Sequence, residues 1–140
     1  RLSGDEQRFF QTPAQHVLFT VHGHGPDVLA VGGQTKGQIY GLTDTNVIRE
    51  QVGGVDILNG IYVRKDGWRV TAGEGGQVLI GSKDARWAQG VLFPDRLTQR
   101  TIHGVSSRGR TLFVGGDLRR MSHGFIINST GFEALEANER

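Results

Sequence analysis

The chain has 140 residues, enough for one ordinary domain, and at 36% hydrophobic content it has no stretch near the ~18 apolar residues of a membrane-spanning helix, which excludes such a span. Cysteine is absent, which excludes disulfides, thiolate catalysis and zinc–thiolate sites. A net charge of +2 is too small to point to a polyanionic partner, and nothing in the composition chooses between cytoplasm, periplasm and the cell exterior.

The chain opens on Arg1 rather than methionine, so upstream polypeptide is expected, and residues 1–14, with Gln7-Arg8-Phe9-Phe10, read as a linker or the outer strand of a preceding unit. A first strand is predicted over Val17–His22 and a second over Val28–Gly32. A third follows over Gly37–Tyr40 and a fourth at Val47-Ile48. The pattern begins again with Ile57–Val63 and Trp68–Gly73. Next comes a loop with Gly73, Gly75 and Gly76. A phosphate-binding loop would need Gly-Lys-Ser/Thr or a following helix. Here Gly76 leads into Gln77-Val78-Leu79-Ile80, which is β-branched and apolar, so the glycines are predicted to turn a hairpin. Trp87 marks another outer strand. The third round takes Thr101–Ser106, Leu112–Gly115, Gly124–Ile127 and Phe132. Only Glu133–Arg140 could be helical.

The chain therefore repeats. Gly32, Gly73 and Gly115 each close an apolar run, and their spacing of about forty residues is that of a propeller blade. Gly37, Gly76 and Gly124 each open the next run, and a hydroxyl stands six residues beyond each, at Thr43, Ser82 and Thr130. We read an all-β chain of about three four-stranded antiparallel blades: 15–53, 54–98 and 99–140. A sandwich would also give short strands with regular turns, but it would not require a glycine and a hydroxyl to recur in register. The glycines are expected to let a second backbone approach closely, with Trp68, Trp87, Phe113 and Phe125 filling the wedges between blades.

The segment Gly67-Trp68 through Gly73, Gly76, Ser82, Asp84 and Trp87 resembles the BNR/Asp-box (sialidase-type) propeller repeat, and within it the blades of photosystem II assembly-factor-like proteins. Gly25–Asp44 and Arg110–Thr130 are weaker copies, and the resemblance runs from about Val17 to Glu136. It departs from the family pattern at the box itself: Ser82-Lys83-Asp84-Ala85-Arg86-Trp87 lacks the glycine and has a shorter gap. The resemblance implies a structural turn at Ser82, Asp84 and Trp87, with the aspartate bonding backbone N–H groups.

Propellers close with about four to eight blades, so three are an incomplete ring. Closure is expected from more chain, a second copy or another subunit, and other protein is the expected partner in each case. The functional expectation is a non-catalytic propeller module for binding and scaffolding, without a cofactor. The alternative is part of a sialidase-type glycoside hydrolase or glycan-binding propeller, which by the resemblance would need an arginine cluster and a Tyr–Glu pair. Tyr40 and Tyr62 lie inside predicted strands with no glutamate in an obvious partner position.

Two further groups of residues stand out in the sequence. Arg96, Arg100, Arg108, Arg110, Arg119 and Arg120 form a basic stretch interrupted only by the acid Asp117. It is a candidate binding surface, although solvated strand edges explain it more simply than nucleic acid does. His22 and His24 share a strand face and, with Asp27, are weak candidates for a metal site. A Gly-His-Gly turn with no third fixed ligand is the plainer reading, and no metal is expected.

Overall fold

The computed structural model describes residues 16–43, 45–83, 85–91, 101–108, 111–118 and 121–128, of which 85, 90–91, 111–118 and 121–128 are described by backbone alone. The described residues are all-β, with no α-helix. Two four-stranded antiparallel sheets and a third sheet of three described strands follow one another along the chain. Sheet 1 is β1 (Leu18–His24), β2 (Asp27–Gly33), β3 (Gly37–Leu42) and β4 (Val47–Glu50). Sheet 2 is β5 (Leu58–Val63), β6 (Trp68–Gly73), β7 (Gln77–Ser82) and β8 (Ala85–Val91). Sheet 3 is β9 (Thr101–Arg108), β10 (Thr111–Leu118) and β11 (Met121–Asn128). Every pair in the strand order is a sequence neighbour, so each sheet is a simple meander. Phe132 and Glu133–Arg140 lie outside the described residues.

The sheets stack face to face. The first strand of each rests on the first two strands of the sheet before it: β5 on β1 and β2, β9 on β5 and β6. Sheet 2 is therefore apolar on both faces. Its front carries Ile61, Val63 and Leu79, which pack with Leu29, Val31 and Ile39 of sheet 1. Its back carries Val70, Ala72, Val78 and Ile80, which pack with Ile102 of sheet 3. Strict alternation along β6 and β7 is thus replaced by near-continuous apolar runs, as expected of strands buried on both sides. Trp87 adds to the first core and Trp68 to the second; the side chains of Phe113 and Phe125 lie outside the description.

One junction recurs in all three sheets. Near the start of each first strand a single extra residue bulges out of the ladder: Phe19 between Leu18 and Thr20, Asn59 between Leu58 and Gly60, His103 between Ile102 and Gly104. In the first two sheets the residue before the strand accepts a backbone bond from the end of the second strand or the residue just after it, Gly33 N–H to Val17 O at 3.0 Å and Glu74 N–H to Ile57 O at 2.9 Å. Gly32 and Gly73 sit against those same carbonyls. A Cβ there would come within 2.0 Å of Val17 O and 1.9 Å of Ile57 O, so no side chain fits.

The register of the third sheet differs from the sequence expectation. Gly116, not Gly115, lies opposite Ile102, the place that Gly32 and Gly73 hold opposite Leu18 and Leu58. Likewise Gly124 pairs with Gly115, as Ile39 pairs with Val31 and Val78 with Ala72, so Gly124 is displaced from the position of Gly37.

The glycine-rich loop after β6 is a hairpin connection. Glu74–Gly76 forms one tight turn, with Gly75 at φ 66° and Gly76 at φ 71°, both in the left-handed region that favours glycine.

Candidate functional site

Among the described residues, polar side chains bridge neighbouring sheets in two places. The first is a cleft at one end of the stack, with a cavity of about 240 Å³ bordered by Leu29, Leu42, Ile48, Glu50, Arg69 and Lys83. Its floor is Arg69, on the front of β6. The Arg69 guanidinium grips Asp27 of β2 with two bonds, Nη2–H to Oδ1 at 2.6 Å and Nε–H to Oδ2 at 3.2 Å. Its Nη1–H reaches Glu50 Oε1 of β4 at 3.0 Å. Glu50 Oε2 in turn accepts a short bond from the indole Nε1–H of Trp87 on β8. The four residues come from the second and fourth strands of both sheets, so the network bolts one sheet to the other.

Burial makes that bolt stiff. The side chains of Arg69 and Asp27 are only 9% and 13% exposed. A guanidinium taken this far out of water is tolerated because its planar fork is matched by carboxylates. Removing one partner would leave a buried charge uncompensated. The Trp87 ring also lies on Gly81, whose missing side chain leaves room 3.2 Å from ring atoms.

The second place is the row of first strands. Each is the edge of its own sheet, with backbone groups that the ladder does not use. Side chains of the preceding sheet take up several of them. Thr20 Oγ1–H donates to Asn59 O at 2.5 Å, and Val63 N–H donates to His22 Nδ1 at 3.0 Å. Asn59 Nδ2–H donates to Ile102 O at 3.2 Å. The His22 ring stacks on Tyr62, with centroids 4.6 Å apart. His22 is thus spent on the sheet junction, and Asp27 is held by Arg69. Among the described residues no group of three histidine, aspartate or glutamate side chains converges on a metal position.

The other predicted residues distribute as follows. Ser82 pairs with Ala85 at the β7–β8 hairpin, Trp87 joins the ion network, and Asp84 lies outside the described residues. In the equivalent β3–β4 hairpin the turn is organised by a hydroxyl: Thr43 Oγ1 accepts from Asn46 N–H at 2.9 Å. Of the six arginines, Arg108 is exposed at the end of β9, and the other five lie outside the described residues. Among the described residues no helix is long and apolar enough to cross a membrane. The sequence reading missed Arg69 and Glu50. The signal for Arg69 was there: a lone cation inside the apolar run Val70-Thr71-Ala72, on a strand expected to be covered, needs an acid across the interface.

No family model, curated protein or solved structure matches the chain.

Proposed function

We propose that the sheets are blades of a β-propeller, of the BNR/Asp-box kind that the sequence resembles, and that the chain is a non-catalytic module for binding and scaffolding within a larger β assembly. The observation that carries this reading is the junction built alike in successive sheets. A bulged first strand, a glycine seated on a carbonyl and a face-to-face seat on the preceding sheet recur together. A design of that kind extends by adding units, and its terminal faces call for more protein.

The inter-sheet charges support the non-catalytic half of the reading. Arg69, Asp27 and Glu50 are spent on one another, and Trp87 takes the remaining Glu50 oxygen. They hold sheets together rather than standing open to a substrate. The test of this half is incubation with a fluorogenic sialoside: no turnover above buffer is expected, and turnover lost on Arg69→Met would replace the reading with a glycoside hydrolase. The propeller half is tested by electron-microscopy averages of the assembled protein. A toroid with a central channel is expected, and a flat stack of layers would refute it.

A further inference from the structure

The cleft beside Arg69 owes its room to one residue. Ladder pairing aligns Gly41 of β3, opposite Leu29, with Ile80 of β7, opposite Val70. Ile80 is 2% exposed and belongs to the core that sheets 2 and 3 share. The same place in sheet 1 holds no side chain, and the cavity of about 240 Å³ opens there. Ile48, across the ladder from Gly41, borders the cavity without filling it and stays 56% exposed. The backbone does not demand a glycine, because φ at Gly41 is not positive. A Cβ there would meet Glu50 Oε1 at 3.6 Å and Leu29 Cδ2 at 3.8 Å, which are ordinary contacts. Gly41 thus differs from Gly32 and Gly73, where no side chain fits.

The polar side of the cavity narrows what would enter it. The carboxylates of Asp27 and Glu50 already accept from Arg69 and Trp87. Arg69 is the group with bonding capacity left. A guanidinium has more N–H donors than the three bonds to Asp27 and Glu50 use, and among the described residues the others meet no acceptor. The Arg69 side chain is 9% exposed, so those donors gain little from bulk water, and a buried donor calls for a partner. Charge narrows the choice further. An anion in the cavity would face Asp27 and Glu50, and a cation would face Arg69 and, at the rim, Lys83. A neutral acceptor meets neither penalty.

We propose that the cleft binds a small neutral carbonyl compound, or the carbonyl-bearing end of a larger one. Its apolar body takes the room left at Gly41, between Leu29, Leu42 and Ile48, and its oxygen accepts from the Arg69 guanidinium. The volume is below the ~300 Å³ of ordinary ligand pockets, which fits a single ring or a branched aliphatic group. The site stands on the cleft alone, whether or not the sheets close into a ring, and it adds no catalytic step.

The test is a titration of the labelled protein followed by NMR, with acetophenone as the probe. Saturable shifts are expected at the Gly41 and Leu29 amides and at Arg69 Nε–H. Ethylbenzene has the same body without the oxygen and is expected to bind about tenfold more weakly; benzoate, which adds a charge, is also expected to bind more weakly than acetophenone. Gly41→Ile supplies the side chain that sheet 2 has at Ile80, and it is expected to weaken acetophenone about tenfold or more. Gly41→Ala adds only a methyl group in ordinary contact, so it keeps the fold if the larger variant does not, and a loss of about threefold is expected from it. Absence of saturable shifts up to the solubility limit of acetophenone would overturn the site. Ethylbenzene binding as well as acetophenone would overturn it too, since the guanidinium would then play no part. So would tighter binding of benzoate, or an affinity unchanged in both Gly41 variants. Each of these outcomes leaves the scaffold reading standing.

Discussion

β1 and β5 occupy the same place in successive sheets, yet they live in different surroundings. Both begin with a leucine, bulge at the next residue and pair with a second strand ending in a seated glycine. On β5 the front residues Ile61 and Val63 are buried; on β1 Val21, the counterpart of Ile61, is exposed. The backbone device is therefore independent of what covers it. The bulge and the glycine are internal to each sheet, whereas the apolar energy comes from the neighbour. A sheet of this kind is locally specified and globally dependent.

That comparison can be broken most forcefully at Arg69, which ties sheet 2 to sheet 1. Arg69→Met leaves Asp27 and Glu50 without their cation, and we expect a loss of about 4 kcal/mol, read from the denaturant midpoint. Ile61→Ala is next. Truncating a fully buried isoleucine should cost about 3 kcal/mol. Gly73→Ala and Gly32→Ala probe what the two sheets share. Each places a Cβ against a carbonyl, and we expect about 2 kcal/mol from each, equal within error even though their sheets are covered differently. A large inequality would show that the junction depends on its neighbour after all. Thr43→Ala removes the hydroxyl that organises the β3–β4 turn, for about 1 kcal/mol. The smallest effect is expected from Val21→Ala, within about 0.5 kcal/mol. A cost matching that of Ile61→Ala would mean that Val21 is not the open counterpart of Ile61.

Much of the architecture was legible in the residues. The strands of sheets 1 and 2 announce themselves by apolar runs between Gly, Asn and Asp clusters, and the Gly73–Gly76 turn follows from what Gln77–Ile80 cannot be. Gly32 and Gly73 were found from spacing alone, because only a residue without a Cβ can sit against the incoming carbonyl. The third repeat slipped by one residue, and one-residue register cannot be chosen without the ladder. The ion network was harder. Asp27 was noticed for the wrong partner, the histidines, because sequence distance favours near neighbours while Arg69 comes from the facing sheet. The Asp-box expectation met a similar limit. The resemblance marked Trp87 as part of a local turn, yet its indole is committed to Glu50 of another sheet.

The recurring bulge has an evolutionary consequence. Because register is reset at the head of each sheet, an error or insertion within one repeat does not propagate into the next. Whole repeats can be duplicated or deleted in a gene while the surviving junctions keep their geometry. Lineages built on such a chain would be free to change how many repeats they carry before they change how any one of them folds.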